Sequence, residues 1–176
     1  MRIPVIALLV VSGGMIVAGG QSSIDAKMQV QLKRLFPSAT AFSPKGGDPP
    51  HFKAYMNDPR SGLQTLAGFA FWTTELAPFE RGYDGPIKIL VGLDTRAVLT
   101  GIIVVDHHEP YGSFSIEPPE FAAQFQGKNI RDPFEVGADI DAVSRASMSV
   151  TSASRAVRNS ARRVARQLLT PSEPRK

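Results

Sequence analysis

The spacing of apolar residues predicts a helix at each end of the main part of the chain. Residues 22–36 carry apolar side chains at helical intervals, and Pro37 ends that segment. Either Ser22 or Ser23 can cap its first turn. Residues 152–169 repeat the same spacing, with small and branched apolar side chains on one face. Both segments are therefore expected to pack one face on a core.

Runs of aromatic and β-branched residues between these helices predict a sheet. Residues 68–74 form one such run, and residues 87–94 and 98–109 form two stronger ones. The short polar stretch at 94–97 is typical of a hairpin turn. A short helix is expected within 119–126, which begins at the second of two prolines. The pattern predicts a small α+β domain with an antiparallel sheet and packed helices.

The N-terminal segment has a different pattern from the rest. Residues 3–20 contain no charge and would extend roughly 27 Å as a helix, close to the thickness of a bilayer core. An uncleaved membrane anchor, an export signal cleaved after 18–20, and a buried core helix all fit this run. The first two place the rest of the chain outside the cytoplasm. The expected division is an anchor or signal at 1–21, one domain at 22–169 and a disordered tail at 170–176.

The composition excludes several kinds of site and partner. The 176 residues include no cysteine, which excludes disulfides, Cys-ligated zinc and iron–sulfur clusters. The formal net charge of +4 is concentrated near the C-terminus. Four arginines recur there on one face of the predicted helix, namely Arg155, Arg158, Arg162 and Arg166. This face is either solvated or a binding surface for anionic lipid or an acidic partner. Nucleic acid is not an expected partner, because the chain carries no recognition motif and is predicted to be exported.

Three short segments are candidates for chemistry, and one of them, Gly82-Tyr83-Asp84-Gly85, on its own indicates only a turn. His107, His108 and Glu109 end the second strong strand, where they are ordinary strand-end polar residues, an edge that contacts a cofactor, or a metal site. Adjacent strand residues point to opposite faces, which disfavours the metal. Residues 141–152 are rich in hydroxyls and precede the Arg-rich helix. They either cap that helix or, together with its free N–H groups, form a phosphate-binding site.

The hydroxyl-rich segment and several others resemble one family. Its flavin attachment motif reads Asp-x-x-Ser-Gly-Ala-Thr followed by Ser or Thr, and the matching residues here are Asp141, Ser144, Arg145, Ala146, Ser147 and Ser149. Further likeness lies in GYDGPIKILVGLD at 82–94, TGIIVVDHHEPYG at 100–112, FPSA at 36–39 and GGDPP at 46–50. Over roughly residues 32–168 the chain resembles periplasmic FMN-binding domains of the NosR N-terminal type. These are related to the flavin-carrying subunits of the Rnf complex and of sodium-pumping NADH:quinone oxidoreductase.

This resemblance implies a cofactor and a site. The family fold is α+β, and a hydroxyl carries FMN through its phosphate; by the motif match the acceptor is Ser147. The cofactor-binding residues expected on this basis are Ser147, Ser144, Ser149, Arg145, His107 and Glu109, with no metal ligand and no catalytic residue. Two positions depart from the family pattern, because Ser147 replaces Thr and Arg145 replaces Gly. Covalent FMN, non-covalent FMN and an empty, repurposed domain therefore all stay open.

The resemblance also implies a cellular role. The first hypothesis is a membrane-associated periplasmic electron-transfer subunit that carries FMN, at the bacterial inner membrane with its domain facing the periplasm. Its expected partners are the membrane, other subunits of a membrane redox complex and a flavin-transferring enzyme. The alternative is a flavin-free structural or accessory subunit that reuses the fold, and a third reading is a regulator of respiratory gene expression. In each case the chain is a redox carrier or accessory subunit rather than a stand-alone enzyme.

Overall fold

A computed structural model describes residues 24–169 and has an α+β fold, as the sequence predicts. The strands are β1 (Ala41–Phe42), β2 (Phe52–Asn57), β3 (Gln64–Trp72), β4 (Arg81–Gly82), β5 (Gly85–Pro86), β6 (Lys88–Asp94) and β7 (Leu99–Asp106). The helices are α1 (Ala26–Leu35), α2 (Thr73–Leu76), α3 (Gly112–Ser115), α4 (Pro119–Ala123) and α5 (Ser147–Val164). A π-helical turn over Ala165–Leu169 continues α5.

Five of the strands form one antiparallel sheet. Its order is β1-β2-β3-β6-β7, and β4 with β5 makes a separate two-stranded hairpin. Phe71 lies opposite Val91, and Val91 lies opposite Ile102. Because strand residues alternate between faces, this register sends one set of side chains to each side of the sheet.

Both faces of the sheet are buried. On one face Phe71, Ile89 and Val91 pack in a cluster with α5, and all three are completely buried. On the other face Leu90 packs with α1. The sequence pattern predicts Phe69, Ile89, Val91, Ile103 and Val105 as one largely buried set, and this is wrong for the last two. Ile103 and Val105 are half-buried on the α1 face, where a shorter helix covers less of the sheet.

The predicted hairpin between β6 and β7 is confirmed. Asp94 Oδ1 accepts hydrogen bonds from the backbone N–H groups of Arg96 at 2.8 Å and Val98 at 2.9 Å. Ala97 takes a left-handed conformation with φ of 64°. An aspartate that bonds to the backbone two residues ahead stabilises the turn without help from the rest of the fold.

The two predicted helices begin at different residues than expected. Asp25, rather than Ser22 or Ser23, caps α1, since its side chain accepts from the Met28 N–H at 2.8 Å. The Arg-rich helix α5 begins at Ser147 rather than at residue 152. The hydroxyl-rich segment is thus the first turn of the helix and not only its lead-in.

Two of the four arginines on the Arg-rich face donate hydrogen bonds to backbone carbonyls. Arg162 donates to the carbonyls of Ile130 at 2.7 Å and Asp132 at 2.9 Å, and Arg158 donates to the Pro133 carbonyl at 3.2 Å. These bonds tie the loop before α5 to the helix. A wholly solvated face is therefore wrong for Arg158 and Arg162, while Arg155 and Arg166 are exposed.

The predicted leader at 3–20, the proposed anchor or signal at 1–21 and the tail at 170–176 lie outside the described residues. Within residues 24–169, no helix combines the length and the apolar character needed to cross a bilayer.

Candidate functional site

A cavity of about 520 Å³ opens at the first turn of α5. We call it the aromatic cavity, and it is lined by Tyr83, Pro110, Tyr111, Arg145, Ala146, Ser147, Met148 and Ser149. Tyr83 comes from the β4–β5 hairpin and is 70% exposed, while Tyr111 follows β7 and is 45% exposed. The cavity has the size of a small-molecule site, with two aromatic rings near its mouth.

The helix terminus in this cavity has no side-chain cap. Ala146 occupies the N-cap position, where it makes no side-chain hydrogen bond. The first backbone bond of α5 is from Val150 N to the Ala146 carbonyl at 3.1 Å, so the N–H groups of residues 147–149 precede it. Uncapped N–H groups and the positive end of the helix dipole favour a negatively charged group at this position. Ser147 places an exposed hydroxyl beside them.

Arg145 adopts the left-handed conformation, with φ of 68°. This conformation favours glycine, because a Cβ atom crowds the following carbonyl. A glycine, as in the motif that this segment resembles, would adopt this conformation without that strain. The Arg145 side chain is exposed and lines the aromatic cavity, where it adds a positive charge close to Ser147.

A buried carboxylate lies directly behind the cavity. Glu109 is only 6% exposed, and it accepts hydrogen bonds from Tyr83 N at 3.0 Å and Asp84 N at 3.1 Å. The Ser149 hydroxyl also donates to Glu109 Oε2. One side chain thus joins the end of β7, the β4–β5 hairpin and the first turn of α5, which fixes three segments of the cavity wall relative to one another.

The protonation of Glu109 follows from these contacts. Burial on its own raises the pKa of this carboxyl, but the hydrogen bonds from the Ser149 hydroxyl and the Tyr83 and Asp84 amides outweigh it. The net pKa of Glu109 is lower than its ordinary value. Glu109 is therefore a charged acceptor at neutral pH, and it is not a proton donor.

His107 contacts the backbone of Glu109 and is not among the residues that line the aromatic cavity. Its Nδ1 accepts from the Glu109 backbone N–H at 3.1 Å, so Nε2 carries the proton and donates to Glu117 Oε1 at 3.0 Å. Gly112 permits this packing, because a Cβ there would lie 2.1 Å from the imidazole Cε1. Both ring nitrogens have hydrogen-bond partners within the described residues, so His107 holds the Glu109 backbone in position.

A second cavity, of about 270 Å³, adjoins the first. We call it the basic cavity, and it is lined by Glu80, Arg81, Ser147, Met148, Thr151, Ser152 and Arg155. Ser147 and Met148 line both cavities. A group attached at Ser147 could therefore reach an aromatic environment on one side and two arginines on the other.

The structure brings together part of the predicted site. Ser147, Arg145 and Ser149 line the aromatic cavity, although the Ser149 hydroxyl is committed to Glu109. Glu109 and His107 stand behind the wall rather than in it. Ser144 is exposed in the turn before α5 and is not among the lining residues.

Sequence reasoning missed the aromatic lining. Tyr83 lies in a Gly-Tyr-Asp-Gly segment that indicates only a turn, and Tyr111 lies in a Pro-Tyr-Gly segment of the same kind. An aromatic residue inside a glycine-bounded turn is a usable signal, since a turn has no core for the ring to join. Met148, which is 60% exposed, gave no comparable signal.

The sequence over residues 82–162 matches the family model of the FMN-binding domain. The matched range runs from β4 into α5 and contains every residue that lines the aromatic cavity. This match supports an FMN-binding domain family and a flavin-binding role, while the narrower likeness to the NosR type stays a prediction. No curated protein matches the chain.

Proposed function

We propose that this protein is a membrane-associated periplasmic electron carrier that holds FMN in the aromatic cavity, covalently through Ser147. The observation that carries the proposal is the position of Ser147. Its exposed hydroxyl is in the first residue of the uncapped helix α5, at the wall of a cavity within the segment matched by the FMN-binding model. A phosphate joined to that oxygen would lie close to the free N–H groups of the helix terminus.

The lining of the aromatic cavity suits a flavin. Tyr83 and Tyr111 offer aromatic faces for a planar ring, and Met148 offers a polarizable apolar contact. Arg145 supplies a charge for a phosphate oxygen. The oxygens of the Glu109 carboxylate are already occupied by the Ser149 hydroxyl and the hairpin amides.

Attachment needs only the Ser147 oxygen and an activated flavin nucleotide. In that exchange the Ser147 Oγ atom would form a bond to the flavin-side phosphorus of a flavin dinucleotide, the phosphoanhydride bond would break, and a nucleoside monophosphate and the hydroxyl proton would leave. A flavin-transferring enzyme would catalyse this exchange. Ser149 is not an equivalent acceptor, since it is buried and donates to Glu109.

The redox role follows from the cofactor and the open cavity. A bound flavin supplies one- and two-electron redox chemistry, and the protein orients it and adjusts its potential. Tyr83 and Tyr111 are partly exposed, so a redox partner can approach the mouth of the cavity. The proposed partners are other subunits of a membrane redox complex, with the segment at 1–21 holding the chain to the inner membrane.

The decisive experiment is production of the full chain together with a flavin-transferring enzyme, followed by denaturation and washing. Retained flavin absorbance and a mass increase of one FMN ester on the peptide containing Ser147 are expected. Ser147→Ala should abolish both, whereas Ser144→Ala, an exposed serine outside the cavity, should retain them. Washed Ser147→Ala protein that still carries flavin would exclude this attachment site.

The position of the Arg145 side chain favours the alternative function. Its side chain lines the aromatic cavity at the position where the family has Gly, so it could occupy space that the flavin needs. In that case the chain is a flavin-free accessory subunit of a membrane complex. Arg145→Gly then separates the two functions, because flavin loading that requires this substitution favours the accessory role of the natural chain.

A further inference from the structure

A cavity of about 270 Å³ lies on β2, near the β1 edge of the sheet. We call it the histidine cavity, and it is lined by Ser43, Pro44, Gly46, Gly47, His51, Lys53 and Tyr55. All of these residues precede the segment 82–162 that matches the FMN-binding model. The two glycines belong to the GGDPP stretch at 46–50, which the flavin site does not use.

Strand geometry brings three polar side chains to this cavity. His51, Lys53 and Tyr55 are alternate residues of one extended segment, and all three line the cavity. Phe52 and Ala54, which lie between them, are buried in the cluster with α1 on the opposite face. The alternation therefore separates a polar face of β2 from a core face.

The loop before β2 is fixed against the strand. The Lys53 backbone N–H donates to Ser43 Oγ at 2.9 Å, and Gly46 and His51 exchange two backbone hydrogen bonds of 2.9 and 3.0 Å. Gly47 lies directly against the imidazole, because a Cβ there would be 2.8 Å from His51 Cε1. The walls of the cavity are thus held in place before any ligand enters.

One nitrogen of the His51 ring is free, although the residue is only 5% exposed. Nδ1 bonds to the Pro49 carbonyl at 2.7 Å, and a carbonyl can only accept, so in the neutral ring Nδ1 carries the proton and Nε2 a lone pair. Within the described residues Nε2 has no partner, and it is not among the fully enclosed unpartnered side-chain atoms, which are Glu75 Oε2, Thr100 Oγ1 and Ser152 Oγ. Nε2 is therefore accessible from the cavity that His51 lines, where it can accept a hydrogen bond from a ligand.

The other two polar side chains supply donors. Lys53 is exposed and Tyr55 is half-buried, and in the part of the chain that the structure describes neither side chain makes an ion pair or a hydrogen bond. An ammonium group and a phenol hydroxyl both donate to a carboxylate. No acidic residue lines the cavity, so Lys53 gives it one unopposed positive charge.

We infer that the histidine cavity binds a small hydroxycarboxylate. Lys53 Nζ and the Tyr55 hydroxyl donate to its carboxylate, and the hydroxyl of the ligand donates to His51 Nε2. A carboxylate without a hydroxyl would leave Nε2 without a donor, and Lys53 opposes a cation. A volume of about 270 Å³ holds a ligand of only a few heavy atoms.

The test is titration of the flavin-free full chain at neutral pH with glycolate, acetate and glycolamide, while NMR follows the imidazoles of its three histidines. Acetate lacks the hydroxyl of glycolate, and glycolamide lacks its charge. Glycolate should bind about fivefold more tightly than acetate, the effect of one hydrogen bond, and glycolamide should bind most weakly. The resonances of His51 should shift, whereas those of exposed His108 should stay unchanged.

Matched variants assign the donors and the acceptor. His51→Asn keeps a side-chain donor for the Pro49 carbonyl but has no group in place of Nε2, so glycolate and acetate should then bind equally, as read from the amide resonances of β2. Lys53→Gln should weaken binding of both acids by about tenfold. His108→Asn and Lys27→Gln change exposed residues outside the cavity and should bind as wild type does. If His51→Asn fails to fold, the three ligands on wild-type protein and exposed Lys53→Gln still decide.

The inference fails if glycolate leaves the His51 resonances unmoved, or if glycolate and acetate bind wild-type protein equally. Equal weakening by Lys53→Gln and Lys27→Gln would also overturn it, because the acid would then respond to the charge of the whole chain. None of these results depends on flavin loading at Ser147, so they leave the proposed function to its own test.

Discussion

Glu109 and Ser149, which are 40 residues apart in the sequence, are joined by a buried hydrogen bond from the serine hydroxyl to the carboxylate. This bond connects the segment after β7 to the first turn of α5. The same carboxylate accepts hydrogen bonds from two backbone amides of the hairpin that carries Tyr83. The aromatic cavity is therefore organised by a residue that does not line it.

Replacement of Glu109 should loosen this organisation. Glu109→Gln keeps the size of the side chain but removes the charge and one acceptor, leaving a buried donor without a partner. We expect the free energy of unfolding to fall by about 2–3 kcal/mol. Urea denaturation at neutral pH measures this, with Glu117→Gln as the control. Glu117 is exposed and should change stability by less than about 0.5 kcal/mol; an equally small change for Glu109→Gln would contradict the proposed connection.

The charge of Glu109 also makes part of the stability depend on pH. Its pKa is lowered in the folded protein, so the unfolded chain binds the proton more readily. The contribution of this carboxylate is present above its ordinary pKa of 4.5 and is lost as the pH falls through the lower folded value. The stability difference between wild type and Glu109→Gln should therefore shrink in acid. Denaturation curves from neutral pH down to about pH 3 test this, and a constant difference would exclude the linkage.

Gly82 should be intolerant of any side chain. A Cβ at this position would lie 2.2 Å from Glu109 Oε1 and 2.5 Å from its Cδ, so the carboxylate would have to leave the hairpin. We expect Gly82→Ala to destabilise the protein about as much as Glu109→Gln, roughly 2–3 kcal/mol. Gly46→Ala is the control, because nothing lies within 4 Å of a Cβ there. If thermal melts show equal effects for the two alanines, steric exclusion at Gly82 is not the cause.

Local sequence patterns predicted the strands and turns that are stabilised locally. The run at 87–94 is rich in β-branched residues, and Asp94 bonds to its own turn, so both could be read from adjacent residues. Strand β2 was not predicted, because Phe52–Asn57 lacks a β-branched residue and includes an exposed lysine. It becomes a strand through pairing with β3, which is a tertiary effect.

The candidate site was only partly predictable for the same reason. Ser147 and Arg145 were identified from the family motif, and the left-handed conformation of Arg145 agrees with the Gly of that motif. The contact between Glu109 and Ser149, and the free hydroxyl of Ser152, depend on how α5 packs against the sheet. No spacing along the chain encodes such contacts.

Substitution of Arg145 should stabilise the protein. A left-handed conformation costs a residue with a Cβ about 1–2 kcal/mol, part of which glycine recovers despite its greater flexibility when unfolded. We expect Arg145→Gly to raise the free energy of unfolding by about 0.5–1 kcal/mol. Arg145→Lys keeps the strain and the charge, so it should leave stability unchanged. Destabilisation by Arg145→Gly in urea would mean that side-chain contacts outweigh the backbone strain.

The two faces of the sheet should respond differently to truncation. Ile89 is fully buried against α5, so Ile89→Ala should cost about 2–5 kcal/mol. Ile103 is half-buried on the α1 face, and Ile103→Ala should cost clearly less. Denaturant midpoints of the two variants provide the comparison. A larger loss at Ile103 would indicate that the α1 face carries more of the stability than its burial suggests.

Arg162 should matter more to stability than its position on an arginine-rich face suggests. Its guanidinium donates to the carbonyls of Ile130 and Asp132, and with Arg158 it ties this loop to α5. Arg162→Gln leaves both carbonyls without this charged donor, and we expect a loss of about 1–3 kcal/mol in the free energy of unfolding. Arg166→Gln changes an exposed arginine of the adjoining π-helical turn and should have almost no effect. Hydrogen exchange of the amides at 128–134 provides a second readout, since they should exchange faster only in Arg162→Gln. Equal stability and equal exchange in the two variants would show that the arginine face acts as a solvated surface after all.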